Sequence, residues 1–300
     1  MIELLEKTVT RWISRKAEPK PEALAAVKGM KPAVVVTGGS SGIGLALARE
    51  FASRSAAIVL IARTQSRLEI AAASLAAEHP ETRVEQLVLD IGTTEAAKAL
   101  KSWLLEKKLY CDVLVNNAAI GQSGHFAASA PEMLDTLLAT NVAAMARLTR
   151  TMLPGMIARG HGGILTISSL GALVPGPHQA AYYASKSFVA SLSEAIASEV
   201  SGRGVRVSVV LPGPVETRFH ARMDAEGALY RHFLPAASPD RVAKLAVRGY
   251  QLGRRVIAPG IMLSLSVPIL RILPHTITVP VVRWLLNTGR SALPEPPENW

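Results

Sequence analysis

The chain has 300 residues, 49% hydrophobic and 19% charged, with a single cysteine, so it can bury a large core as one or two domains. That composition excludes a disordered segment, a collagen-like repeat and a disulfide scaffold. Thirty-three Lys and Arg against 23 Asp and Glu give a formal net charge of +10, but aromatics are only 5%, too few for stacking platforms, and no nucleic-acid partner is expected.

In chain order, Ile2, Leu5, Val9 and Trp12 recur at helical spacing, and EPKPE then breaks the pattern. Residues 1–30 therefore read as an amphipathic arm, packed on its own domain or a dimer mate, or facing a membrane. From Lys31 short apolar runs alternate with helical segments: AVVV, AIVLIA, VEQLVLD, DVLVNNA, GILTISS and VRVSVVLPG are six strand candidates. Between the fourth and fifth runs one long helix-like stretch extends around EMLDTLLATNVAAMARLTRTMLPGMIA. This alternation predicts an α/β fold, a doubly wound (Rossmann) parallel sheet with helices on both faces, as a single domain over residues 31–255.

Residues 256–300 form an apolar C-terminal extension interrupted by Pro259, Pro268, Pro274 and Pro280. Its longest uncharged run, Val256 to Leu270, is 15 residues, short of the roughly 20 that span a bilayer. Short helices serving as a substrate lid or lying on a membrane fit better than a span. From Arg241 to Arg290 there are eight basic residues and no Asp or Glu, which favours an anionic membrane surface over DNA. Cys111 has no disulfide partner and the N-terminus lacks the pattern of a secretory signal, so a cytoplasmic location, peripheral to a membrane at most, is expected.

The first chemical signal is AVVVTGGSSGIGLALARE, a strand-like run, then Gly38, Gly42 and Gly44, then a helix. Glycines let the backbone approach a pyrophosphate, and the helix N-terminus supplies free N–H groups and a positive dipole end. The second strand candidate ends in Arg63, with no acid there to grip a ribose 2′-hydroxyl, so NADP(H) is preferred over NAD; Ser40, Ser41, Thr64 and Arg67 are secondary phosphate contacts. Alternatively Arg63 is a solvated loop cation. The second signal is Tyr182 and Lys186, i and i+4 on one helix face, thirteen residues beyond Ser169. An ammonium beside a phenol stabilises phenolate, making the pair a proton donor and acceptor, and Ser169 can hydrogen-bond an oxygen that develops charge.

Together these residues resemble the short-chain dehydrogenase/reductase family: TGGSSGIG (Thr37 to Gly44), Asp90, NNAA (Asn116 to Ala119), Asn141, Ser169, the YxxxK of Tyr182 and Lys186, and PGPVET (Pro212 to Thr217). The resemblance covers residues 33 to about 220. It implies that Tyr182 is the catalytic acid/base, that Lys186 binds the nicotinamide ribose and tunes the tyrosine, and that Ser169 polarises the substrate carbonyl. It further implies that Asn141 holds a helix and a proton-relay water, that Asp90 contacts adenine, that Asn116 steadies the central sheet and that Thr217 meets the carboxamide. The implied cofactor contacts are Thr37, Gly38, Ser40, Ser41, Gly42, Ile43, Gly44, Arg63, Asp90, Ile91, Asn117, Ala118, Tyr182, Lys186, Pro212, Gly213, Val215 and Thr217. Ala119 stands where the family usually has glycine. Tyr183 and Ser168 adjoin the chosen residues, but Tyr183 breaks the spacing to Lys186. A homodimer or homotetramer built on the helices of Asn141 and Tyr182 is also implied.

The seven histidines are scattered without metal-ligand spacing, and no metal is expected. His178, four before Tyr182, lines a substrate mouth or is a solvated turn residue. The expected activity is NADP(H)-dependent hydride transfer between nicotinamide and a ketone or secondary alcohol, a carbonyl reductase of lipid metabolism acting on an acyl, steroid-like or sphingoid substrate. The segment Glu216 to Leu234, with Arg218, Phe219, His220, Met223, Tyr230 and Phe233, is expected with the tail near the substrate, where ligands bind in this architecture. The alternatives are a non-catalytic NADP-binding sensor or scaffold, an epimerase or dehydratase reusing the same Tyr and Lys, and a membrane-surface interaction protein.

Overall fold

Strand β1 (Lys31–Thr37) explains why the apolar runs do not alternate with polar residues. Val34 and Val36 enter one core cluster with Leu47, Ile58 and Leu60, whereas Val35 enters a second with Val59, Ile61, Leu100 and Leu148. Successive strand side chains face opposite ways, so a strand covered by helices on both sides is apolar at every position. In the computed structural model, which describes residues 18–223, 227–230 and 235–287, β1 is joined by β2 (Ala57–Ala62), β3 (Arg83–Val88), β4 (Leu109–Asn116), β5 (Gly162–Ile167), β6 (Val205–Val210) and β7 (Val256–Ile257). They form one seven-stranded parallel sheet in the order β3-β2-β1-β4-β5-β6-β7. The chain is thus a doubly wound α/β fold. Val256 and Ile257 pair with Val209 and Val210, so the sheet continues two residues past the six strands read from the sequence.

Helices α1 (Pro21–Ala25), α2 (Gly42–Ala52), α3 (Gln65–Glu78), α4 (Ala96–Glu106), α5 (Pro131–Leu138), α6 (Met145–Arg159), α7 (Ala180–Glu199), α8 (Phe219–Arg222), α9 (Pro239–Gln251), α10 (Ile261–Ile272) and α11 (His275–Leu286) complete the description. Leu47 of α2, Leu68 of α3 and Val247 of α9 cover one face of the sheet, and Leu100 of α4 and Leu148 of α6 the other. The long helix predicted before β5 is interrupted. Ala139–Ala144 makes a π-helical turn between α5 and α6, the widening that accommodates an extra residue and turns one side chain to a particular task. That residue is Asn141.

The N-terminal amphipathic pattern, residues 1–16, lies outside the described residues; residues 18–30 lie against α6, with the Lys20 amide donating to Ala158 O at 2.8 Å. At the other end α10 and α11, twelve residues each, contain Pro268 and Pro280. Leu263 of α10 rests on Gly213, and Val267 packs on Ala190, Val209 and Leu211. Among the described residues no helix is long and apolar enough to cross a membrane.

Candidate active site

The motif residues converge because they end parallel strands: Thr37 ends β1, Arg63 follows β2, Asp90 follows β3, Asn116 ends β4, Ser169 follows β5 and Pro212 follows β6. The strand order reverses direction between β1 and β4, so the loops leaving those two strands diverge and open a crevice at their carboxyl ends.

One wall of the crevice is the glycine loop. Gly38 and Gly42 adopt φ of +66° and +57°, where a side chain is strained. A Cβ on Gly44 would overlap Gly38 O, and one on Gly42 would lie 3.2 Å from Thr217 Cγ2. The backbone therefore folds on itself, and the first amides of α2, from Gly42, Ile43 and Gly44, face outward with no earlier turn to bond. Thr37 clamps the loop to β4: its hydroxyl donates to Val115 O at 3.1 Å and accepts from the Asn117 and Ala118 amides at 3.0 and 3.2 Å. The Asn117 side chain returns a bond to Thr37 O at 2.9 Å.

Around this cradle Ser40 is partly buried, whereas Ser41, Arg63, Thr64, Arg67 and Asp90 are exposed. Asp90 accepts from the Gly92 amide at 2.9 Å, and Ile91 is buried in the core beside it. Asn116, only 4% exposed, donates to Thr149 Oγ1 at 3.0 Å and so ties β4 to α6. Across the crevice Pro212 O accepts from the Leu170 amide at 2.8 Å, Gly213 meets Leu263, Val215 is buried, and Thr217 accepts from the Phe219 amide at 3.3 Å. A backbone fold that only glycine permits, a free helix N-terminus and an exposed cation at the end of β2 fit a phosphorylated dinucleotide.

The reacting groups lie at the next strand boundary. The Ser169 side chain neighbours the Tyr182 hydroxyl and accepts from the Gly171 amide at 3.1 Å. Tyr183 is held elsewhere: its ring wedges between Gly171 and Gly176, and a Cβ on Gly171 would sit 2.8 Å from Tyr183 Cε1. Ser168 also faces inward, donating to Lys186 O at 2.7 Å. The pairs of adjacent candidates are thereby separated by packing. Lys186 is 5% exposed; its ammonium donates to Ile167 O at 3.0 Å and stands 5.7 Å from the Tyr182 ring centroid.

Burial brings the Lys186 ammonium down to about 8. Burial also raises the Tyr182 phenol above its usual range; the neighbouring Ser169 side chain offsets part of this and Tyr230 adds to it. The Lys186 ammonium is engaged by the Ile167 carbonyl, and burial sets the direction of the tyrosine shift. Asn141, in the π turn, accepts from the Ile120 amide at 2.9 Å and donates to Ile120 O at 2.8 Å and Ser185 Oγ at 3.1 Å. Ser185 in turn donates to Tyr182 O at 2.6 Å. Asn141 thus locks the loop after β4 to the helix carrying the tyrosine, through a serine that the sequence reading passed over although it lies inside YASK.

Above the tyrosine, the Phe219 ring lies 5.5 Å from that of Tyr182, and Phe219 and Met223 close on Gly121. The side chain of His220 and all of Phe233 lie outside the described residues, and Arg218 is exposed. His178 takes φ +65° and meets His125 edge to face, 4.9 Å between centroids. Among the described residues no group of His, Cys, Asp or Glu is arranged to hold a metal ion.

The short chain dehydrogenase family model matches residues 32–227. A short chain dehydrogenase of Pseudocercospora fijiensis is 38% identical over 201 residues, 66% of this chain and 64% of that protein. The very-long-chain 3-oxoacyl-CoA reductase of Bos taurus is 34% identical over 188 residues, 61% of this chain and 59% of that protein. The chain thus spans less than two thirds of the length of either. Among solved structures, a short-chain dehydrogenase from Sphingobium yanoikuyae in complex with NADPH superposes with a TM-score of 0.71 at 31% identity, covering 80% of this chain and 92% of that one.

Proposed function

This chain belongs to the short chain dehydrogenase family, and from that premise we propose that it is an NADP(H)-dependent oxidoreductase that reduces a ketone, or oxidises the corresponding secondary alcohol, on a largely apolar substrate. The observation that carries the reading is the buried Lys186 ammonium, 5.7 Å from the Tyr182 ring and one turn along the same helix, beside the cradle of Gly38, Gly42 and Gly44.

The bound nicotinamide would supply or take the hydride. The residues of the chain do the rest. The amides of Gly42, Ile43 and Gly44 would hold the pyrophosphate, and Arg63 would support a 2′-phosphate. Ser169 donates to the substrate oxygen as it gains charge, and the Tyr182 hydroxyl delivers the proton to that oxygen or removes it in the reverse direction. Lys186 keeps a positive charge near the phenol, and Asn141 with Ser185 positions α7. Phe219 and Met223 offer an apolar cover over Tyr182, which supports a hydrophobic substrate. So does the name of the Bos taurus relative.

Purified protein would be tested by NADPH oxidation against ketones of increasing chain length, beside NADH and Tyr182→Phe. The reading requires turnover that prefers NADPH and falls at least a hundredfold in the variant; NADPH binding without any turnover would favour a sensor instead.

Two features of assembly accompany the proposal. Ile261, Met262, Leu265, Ile269, Ile272, Leu273, Ile277, Val281 and Trp284 make half of the exposed large apolar side chains among the described residues, all on or between α10 and α11. α10 and α11 carry Arg271 and Arg283 and no acidic residue, and the apolar face they present suits the surface of a bilayer. Met133 and Leu138 on α5 and Phe188 on α7, each more than 40% exposed, suit a homodimer or homotetramer contact.

A further inference from the structure

A second concavity, about 460 Å³, opens where three distant segments meet: the loop after β4, the turn before α7, and α11. His125, His178, Arg283 and Asn287 supply its polar wall, and Val279 and Pro280 its apolar one. Among the described residues its lining contains no carboxylate. Its size is that of a small-molecule site.

Several independent features of its wall point the same way. The Gly124 amide donates to His178 O at 2.8 Å, fastening the two histidine loops together. His178 is held in the left-handed region at φ +65°, which strains a residue with a Cβ. Among the described residues His125 Nε2 is buried without a hydrogen-bond partner, so a ligand that supplies one is favoured there. Burial, then His125, then Arg283 hold the His178 imidazole below its ordinary range. The cavity therefore gathers the Arg283 guanidinium and two imidazoles that can donate as neutral rings, with no acid among the described lining residues, and lays them beside an apolar surface.

We propose that this cavity binds the carboxylate or phosphate end of an amphiphilic ligand, with the head on Arg283, His178 and His125 and the first methylenes on Val279 and Pro280. Guanidinium and imidazole groups recognise either anion through charge-assisted hydrogen bonds. His178 lies in the turn that leads into the helix carrying Tyr182, and the occupant proposed for this cavity is the substrate of that acid/base. In that respect the inference rests on the reductase reading and names its substrate as an anionic amphiphile.

The test is isothermal titration calorimetry on the full chain with four probes: sodium octanoate, octyl phosphate, 1-octanol and inorganic phosphate. Arg283→Gln and His178→Asn serve as variants, asparagine being tolerated at positive φ. The expected result is saturable one-site binding of octanoate, octyl phosphate or both, with octanol and inorganic phosphate at least tenfold weaker. Arg283→Gln should weaken the binding at least tenfold and leave NADPH affinity unchanged, which shows the variant folded. The ranking of octanoate against octyl phosphate assigns the head group. Octanol binding as tightly as octanoate, or Arg283→Gln binding as tightly as the parent, would overturn the proposal. Because the titration needs neither cofactor nor turnover, its failure is distinct from a failure of the reductase reading, which the ketone panel judges.

Discussion

Lys186 offers a test of the site's electrostatics that needs no substrate. Lys186 is 5% exposed, its ammonium is bonded to one carbonyl and, among the described residues, has no carboxylate partner, and burial lowers it from an ordinary 10.5 to about 8. Below pH 8 both folded and unfolded chains carry the proton, and folding bears the whole cost of burying the charge. Between pH 8 and 10.5 the unfolded chain binds a proton that the folded chain has released, so stability rises with pH across that window. The gap, 10.5 less 8, is about 2.5; at 1.36 kcal/mol per pH unit this amounts to about 3 kcal/mol. Lys186→Met preserves the shape and removes the titration. Its own cost at neutral pH mixes relief of the charge with loss of the bond to Ile167 O, so the informative quantity is the difference between parent and variant as pH changes. Urea unfolding at pH 7, 8, 9 and 10, without cofactor, should show the parent gaining on the variant progressively, by about 2–3 kcal/mol over the series. A difference that stays constant within about 1 kcal/mol, or that falls with pH, refutes the assignment of a charged, desolvated lysine.

Other substitutions probe the remaining parts. Gly44→Ala places a methyl against Gly38 O, so NADPH affinity should drop at least tenfold in fluorescence titration while the far-ultraviolet circular dichroism spectrum is retained. Arg63→Glu should reverse the preference of kcat/KM from NADPH toward NADH; an unchanged ratio would mark Arg63 as a solvated cation. Asn141→Ala leaves the Ile120 amide and carbonyl without their partners, and should cost about 2–4 kcal/mol in urea unfolding and lower kcat with little change in NADPH affinity. Ile269→Glu with Ile272→Glu should abolish flotation with vesicles of one-third phosphatidylserine, while the parent floats and is released by high salt.

Much of this molecule was legible in its sequence because the signals are local. A strand buried on both faces shows as an apolar run, as Val34 to Val36 do; a turn that folds back on itself needs Gly38 and Gly42; and a four-residue interval on a helix placed Tyr182 and Lys186 together. The doubly wound sheet and the family followed from the order of those signals. What the linear pattern could not supply were the contacts between segments far apart in the chain. The two-residue strand β7 is too short to show a period and exists only because Val209 and Val210 wait for it. The π turn at Asn141 interrupts a stretch that otherwise carries the pattern of one continuous helix, and it makes bonds to Ile120 and Ser185. The direction of the Tyr182 shift depends on how deeply its neighbours cover it. His125, His178 and Arg283, scattered over more than 150 positions, share one cavity only after folding. Periodicity and turn chemistry are properties of a few consecutive residues and can be read from them, whereas burial, desolvation and a shared pocket belong to the packed whole.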